Sequence, residues 1–230
     1  MVKINSIINS HSKNTLNILN GMVMKEVFLK KYDSNNQTFI SFNEAIVQGQ
    51  VVEDILSDEF IETRISSLNT NYSKYKKLVL DELSVLKKNT YEDIVLWFGI
   101  DMFCQLNLLT ILSYIEVNNI NSNIFVVLLG DNDYEVIKYN IINIKGMYNI
   151  YKSVLIEHKT INTNYTYLNH SIKLYLKYIS GENEIYSYIN SHLDEADLVH
   201  QLINKFKEYG LGDSQYKIMI KNVKMCYNKV

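Results

Sequence analysis

The chain has 230 residues, 47% of them hydrophobic, with a formal net charge of −2. That length and apolar content suffice for a sizeable buried core, which excludes disordered and fibrous classes, and the near-neutral balance gives no global attraction to nucleic acid or to an anionic membrane. The two cysteines, Cys104 and Cys226, lie far apart with no CxxC pair, which excludes a disulfide framework or zinc knuckle and points to a reducing compartment.

In chain order, the opening "MVKINSIINSHSKNTLNILNG" has no uninterrupted apolar leader, and no later run reaches the roughly 18 apolar residues of a membrane span. The expectation is a cytoplasmic protein with no membrane partner. Within that opening, "TLNIL" ends at Asn20-Gly21 and is followed by "MVMKEVFLKKY", the pattern of a strand, a tight glycine turn and a helix. "QTFISF" reads as a second short strand, with Asn43 as a candidate cap for a helical segment starting "EAIVQG".

Ser57 precedes "DEFIETRISSL", whose acidic first turn suits a helix N-terminus, so Ser57 is the expected N-cap and Arg64 falls two turns in. Residues 72–88, "YSKYKKLVLDELSVLKK", place leucines near helical spacing and predict one long amphipathic helix. "EDIVLWFG" is a β-branched and aromatic run stopped by Gly99, and "DMFCQLNLLTILSYIEV" continues as a helix with Asp101 as N-cap, "LNLLTIL" forming its core face. "NIFVVLLGDND" repeats the strand-then-turn pattern, its turn at Gly130-Asp131.

Apolar runs joined by helices are the mark of parallel strands covered on both faces. The fold class expected is therefore α/β, a Rossmann-like open, mostly parallel sheet over residues 1–145. From Gly146 to Val230 the texture changes to Tyr- and Lys-bearing helical periodicity, with ten lysines against eight acids, and a C-terminal helical subdomain is expected there. Asp194, Glu195 and Asp197 read as an acidic first turn, and the histidines show no metal-ligand spacing, so no metal is expected.

In parallel sheets, ligands settle beyond the carboxyl ends of the strands, where helix N-termini favour anions. The strand-to-helix turns gather Asn20, Gly21, Asn43, Glu44 and Asp101 on that edge, and Gln105, at i+4 from Asp101, is expected to share the cleft. Arg64 is the only arginine beside 22 lysines. A residue retained where lysine is otherwise used suits either a planar fork for carboxylate or phosphate, or a structural ion pair. Cys104 in the first helical turn sits where a thiol pKa can fall, although its sequence neighbours are apolar and no histidine is close in sequence. There is no GxGxxG, Walker or GxSxG motif, so the sequence specifies no cofactor.

The segments "FNEAIVQG", "DEFIETR" and "IVLWFGIDMFCQLNLLTIL" resemble an uncharacterised bacterial domain family, common in Firmicutes, with an LWF-x-x-D-x-F-x-Q block. The likeness spans about residues 15–130 and falls on Asn43, Glu44, Arg64, Trp97, Asp101 and Gln105. It departs at Asn20-Gly21-Met22, where relatives often carry an "NGD"-like turn. Some relatives bear an AraC-type regulator label, but paired helix-turn-helix units and a basic character are missing here. The resemblance implies a domain without an assigned activity.

The leading expectation is a small anionic or nucleotide-like ligand at the strand ends, held by Arg64, Asp101 and Gln105, with Glu44 and Asp101 as candidate acid or base groups should chemistry occur. A nucleic-acid-binding regulator acting through the C-terminal helices, with Lys217 and Lys221 on the contacting helix, is the alternative. A protein-interaction module that self-associates as a homodimer is the third.

Overall fold

A computed structural model describes residues 3–88, 90–130, 134–181, 183–193 and 195–227. Four short apolar runs, β1 (Thr15–Asn20), β2 (Thr38–Phe42), β3 (Asp93–Gly99) and β4 (Asn123–Leu129), pair in parallel, and β5 (Val136–Ile141) adds antiparallel at the edge to give the order β2-β1-β3-β4-β5. The register sets Ile18 between Ile40 and Leu96, and Leu96 beside Val126. The α/β class and mostly parallel sheet expected from the apolar runs are observed. β5 carries only intermediate and exposed residues, so hydrophobicity gave no sign of it.

Successive strand residues face opposite sides. On β3, Val95 and Trp97 pack under α1 (Ile4–Ser10) and α2 (Met22–Lys31), while Ile94, Leu96 and Phe98 enter the larger core on the other face. The chain steps from β1 to β2 in one direction and returns past β1 to β3. Crossovers of one hand then place α2 on one face and the following helices on the other.

On that second face lie α3 (Asp58–Ser67) and a helical run of changing pitch, α4 (Tyr72–Tyr75), a widened π turn at Lys76–Leu80, α5 (Asp81–Leu83) and a tight 3-10 stretch at Ser84–Lys88. The span is the one expected for a long amphipathic helix, but its winding shifts between three pitches. The segment after Asn43 corrects a second expectation. No helix follows it, and residues 43–57 form a chain of turns and bends in which Gly49 has φ 75° and Leu56 φ 64°.

α6 (Met102–Val117) has twelve of its 16 residues buried, because it is sandwiched between the sheet and a further helical layer. That layer comprises α7 (Met147–Tyr151), α8 (Thr166–Ser180), α9 (Glu184–Ser191), α10 (Leu198–Lys205) and α11 (Asp213–Tyr227). One apolar core runs without interruption from Leu16 on β1 to Val223 on α11, across the boundary expected at residue 145.

A buried polar chain ties α1 to the sheet on the opposite face. The Trp97 indole donates to Asn17 Oδ1 (2.9 Å), Asn17 donates to Gln37 Oε1 (2.9 Å), and Gln37 donates to the Ile8 carbonyl (2.8 Å). Each buried polar group is thereby matched, as burial requires. His11 bridges Asp93 Oδ2 (2.7 Å) and the Tyr139 hydroxyl (2.8 Å), fixing the end of α1 to the edge strand.

Candidate functional site

The strand order reverses between β1 and β3, so their carboxyl ends flank the crevice where open α/β sheets hold ligands. β1 delivers Asn20 and Gly21, and β3 delivers Gly99 followed by Asp101. Gly21 has φ 96°, open space where a Cβ would project, and precedes α2, which lacks a side-chain cap. The Lys25 amide donates to the Gly21 carbonyl, while the amides of Met22, Val23 and Met24 meet no acceptor among the described residues. Met22 and Val23 are exposed.

Across the crevice Asp101 caps α6, its Oδ1 accepting from the Cys104 amide at 2.8 Å. Ser57 likewise caps α3 by accepting from the Phe60 amide. Both caps are those expected from sequence. Asn20 donates to Cys104 Sγ (2.9 Å) and accepts from Asn107 (2.9 Å), and Asn107 also donates to the Glu44 carbonyl (2.7 Å) and accepts from the Ile46 amide. One asparagine in α6 thus joins the β1 end to the loop after β2. Burial pushes the Cys104 thiol well above its ordinary range, and the Asp101 carboxylate adds to the effect. Burial is the larger of the two causes, so the first-turn position does not yield a thiolate here and the apolar surroundings read from the sequence prevail.

The structure brings Asn20, Gly21 and Asp101 together and draws the other candidates elsewhere. Arg64 has no exposed surface. Its Nε donates to Glu44 Oε2 (3.0 Å), Nη1 to the carbonyls of Gln48 (2.7 Å) and Gln50 (2.9 Å), and Nη2 to that of Ala45 (2.8 Å). The Tyr75 hydroxyl donates to the other Glu44 oxygen, and burial followed by the Glu44 charge drives that phenol far above its usual range. Arg64 and Glu44 therefore consume each other inside the protein, which corrects the anion-holding role expected of Arg64 and the acid–base role expected of Glu44. The structural ion pair is the reading that fits.

Asn43 donates to Ser41 Oγ (2.9 Å) and the Leu78 carbonyl, bracing the end of β2. Gln105 is buried; its amide donates to the Gly99 carbonyl (2.6 Å), and its side chain lines a cavity under α6 rather than sharing a cleft with Asp101. The helix turns Asp101 back onto its own first turn, so the i,i+4 spacing does not aim both groups at one ligand.

Sequence reasoning missed Asn107, reading "LNLLTIL" as core face. The usable signal was the asparagine itself, since a polar group in a run destined for burial must find partners. It also missed the contact made by Gly210, with φ 64°, whose backbone packs so closely on Asp101 that an added Cβ would lie 1.9 Å from Oδ1. The joint before α11 therefore lies against Asp101, and the Gln215 side-chain amide donates to Gln48 Oε1 (3.4 Å) in the loop after β2. On α11, Lys217 and Lys221 are exposed, and the Lys217 ammonium is paired with Asp213 at 2.7 Å. The turn residue Asp131 and the acidic-turn residue Asp194 lie outside the described residues.

Among the described residues no helix is long and apolar enough to cross a membrane, and no group of three or more His, Cys, Asp or Glu side chains is placed to hold a metal ion. Compared with family models, curated proteins and solved structures, the chain matches none of them.

Proposed function

We propose that this chain binds a small ligand carrying an anionic group, nucleotide-like in character, at the β1/β3 switch point. The observation that carries the reading is the open, uncapped start of α2 directly after β1. Its amides and the positive end of the helix dipole favour an anion. Asp101 supplies an acceptor on the facing turn for a hydroxyl or amino group of the same ligand, and Asn20 sits between the two. Arg64 has no part in this site.

The test uses AMP and inorganic phosphate as probes, with amide chemical shifts as the readout. The amides of Met22, Val23 and Met24 are expected to move on titration with either probe, and Asp101→Asn is expected to weaken AMP but not phosphate. Val23→Glu places a negative charge in the first turn, where it stabilises the helix by about 0.3–1 kcal/mol while repelling an anion, so it should abolish binding in a protein at least as stable as the parent. Unmoved amides, or a Val23→Glu protein that binds as well as the parent, would refute the site.

A further inference from the structure

We propose that Tyr139 is a nucleophile: with His11 as its base and Asp93 behind the imidazole, its phenol takes a small acyl group from an activated acyl donor such as an aryl ester. The three residues lie away from the switch-point crevice. Asp93 is the first residue of β3, so it stands at the amino ends of the parallel strands, while the crevice stands at their carboxyl ends. His11 closes α1, and Tyr139 comes from the edge strand β5.

The geometry is that of a nucleophile, a base and an orienting carboxylate. Asp93 Oδ2 lies 2.7 Å from His11 Nδ1, and His11 Nε2 lies 2.8 Å from the Tyr139 hydroxyl. An ionised carboxylate only accepts hydrogen bonds, so Nδ1 carries the ring proton. The neutral ring then accepts at Nε2, and the phenol donates to it. Neighbours hold this arrangement in place. Asn123 donates to Asp93 Oδ1 (3.0 Å), the His11 side chain is 4% exposed, and its ring sits edge-on against Phe125 with centroids 4.5 Å apart. The His11 carbonyl accepts from Gln37 (3.2 Å), which fixes the backbone as well. The imidazole therefore keeps its accepting nitrogen on the phenol.

In the step itself, the phenol oxygen bonds to the acyl carbon as its proton passes to His11 Nε2, and the Asp93 carboxylate faces the imidazolium that results. The bond from the acyl carbon to the donor's leaving oxygen breaks, and that oxygen takes the proton from Nε2. The products are an acyl-tyrosine, a neutral imidazole and the free alcohol or phenol of the donor. An unassisted phenol ionises at about 10 and is almost wholly protonated at neutral pH, so the base sets its reactivity there. Tyr139 is half-buried and its ring stacks on Phe125 at 5.9 Å, which suits a small, flat acyl group.

Acetylation of the full chain by p-nitrophenyl acetate at neutral pH tests this, read by peptide mass mapping before and after neutral hydroxylamine, which cleaves phenyl esters and leaves acetyl-lysine intact. Tyr72 is the internal control. It is 57% exposed and bonded to no histidine among the described residues, so accessibility alone would favour it. Tyr139 is expected to take the label about tenfold faster than Tyr72, a general-base gain of about a hundredfold reduced by its partial burial. His11→Gln keeps an amide between the two neighbours but removes the base, so labelling of Tyr139 should fall about a hundredfold while Tyr72 is unchanged. Asp93→Asn donates to Nδ1 and moves the ring proton to Nε2, which can then no longer accept from the phenol, so it should slow Tyr139 in the same way. Tyr151, with no exposed surface, stays unlabelled in each variant that is folded. The ratio of the two tyrosines in the parent needs no variant and decides the matter even where a substitution disturbs folding. Tyr139 labelled no faster than Tyr72, or a folded His11→Gln protein labelled at the parent's rate, would overturn the proposal. AMP binding at Met22–Met24 is read by separate amides, so the two sites succeed or fail independently.

Discussion

Replacing Arg64 tests whether its guanidinium holds the loop after β2. Arg64→Met leaves Glu44, 3% exposed, facing only the Tyr75 hydroxyl and a backbone amide, and takes the donor from three carbonyls. Breaking a buried pair by removing one partner costs about 3–5 kcal/mol. The carbonyls of Ala45, Gln48 and Gln50 would add to this, but the loop can loosen and admit water, so about 4 kcal/mol is expected. Arg64→Lys keeps the charge, yet an ammonium has three donors on one atom and cannot reach a carboxylate and three separated carbonyls together. Losing two of four charge-assisted bonds should cost about 2–3 kcal/mol. Glu44→Gln combined with Arg64→Met removes the stranded charge, so the double variant should be more stable than the sum of its parts by at least about 1 kcal/mol. Urea unfolding followed by far-ultraviolet circular dichroism gives all three values, provided the slope is unchanged. An Arg64→Lys protein within about 0.5 kcal/mol of the parent, a margin typical of ordinary surface changes, or an additive cycle would refute the reasoning.

Gly210→Ala should destabilise by about 2 kcal/mol or more, from the left-handed backbone and from the clash with Asp101. In an Asp101→Ala background, which itself loses a cap at about 1 kcal/mol, the same change should cost less; equal costs in a urea titration would show that the two do not touch. Alkaline pH should unfold the protein. Burial raises the phenols of Tyr75, Tyr151, Tyr175 (to about 12) and Tyr216 and the Cys104 thiol, so their contribution is whole below the unfolded values near 9 and 10 and is lost as pH rises toward the folded ones. Tyrosinate absorbance should therefore appear together with loss of ellipticity, and its appearance in a fully folded protein would contradict this. Glu82 shows the acidic counterpart. Partial burial works to raise its pKa, but Lys25 and Ser41 outweigh it and hold the carboxyl below the ordinary 4.5, so stability present above that pH should fall as pH drops through the folded value. Glu82→Gln should flatten the decline of the urea midpoint between about pH 5 and 3.

Much of the architecture was readable because it depends on local chemistry. "VLWF" is apolar enough to be a strand buried on both sides, and Ser57 and Asp101 are caps because a short side-chain oxygen ahead of a helix can reach the third amide. β5 was not readable, since "VIKYNI" lies at an edge with one side open and has no apolar run to mark it. The loop after Asn43 was misread for a different reason. "EAIVQG" is compatible with a helix by propensity, but Arg64, fourteen or more residues later, collects its carbonyls and holds the backbone in turns. The turns of the candidate crevice were legible where they follow strands, at Asn20, Gly21 and Asp101. Gln105 and Glu44 went astray because spacing along a helix or loop fixes a neighbourhood and leaves the side chain's partner undetermined.

The single arginine sharpens that distinction. A chain with 22 lysines and one arginine keeps the guanidinium where lysine fails, which is a statement about geometry: several acceptors spread around a plane. The acceptors prove to be one carboxylate and three backbone carbonyls, and carbonyls leave no mark in a sequence because every residue has one. The planar fork was therefore predictable, and the identity of what it holds was not. One consequence bears directly on the crevice. With Arg64 fully occupied inside the protein, any anion at the switch point must be held by the amides of Met22, Val23 and Met24 and by the dipole of α2. Such a site carries little net charge, so it should favour singly or doubly charged groups on an otherwise neutral ligand over polyanions, and AMP should compete with ATP on more equal terms than at a site built from arginine and lysine. A strong preference for ATP at Val23 in amide-shift competition would mean that a side-chain cation takes part after all.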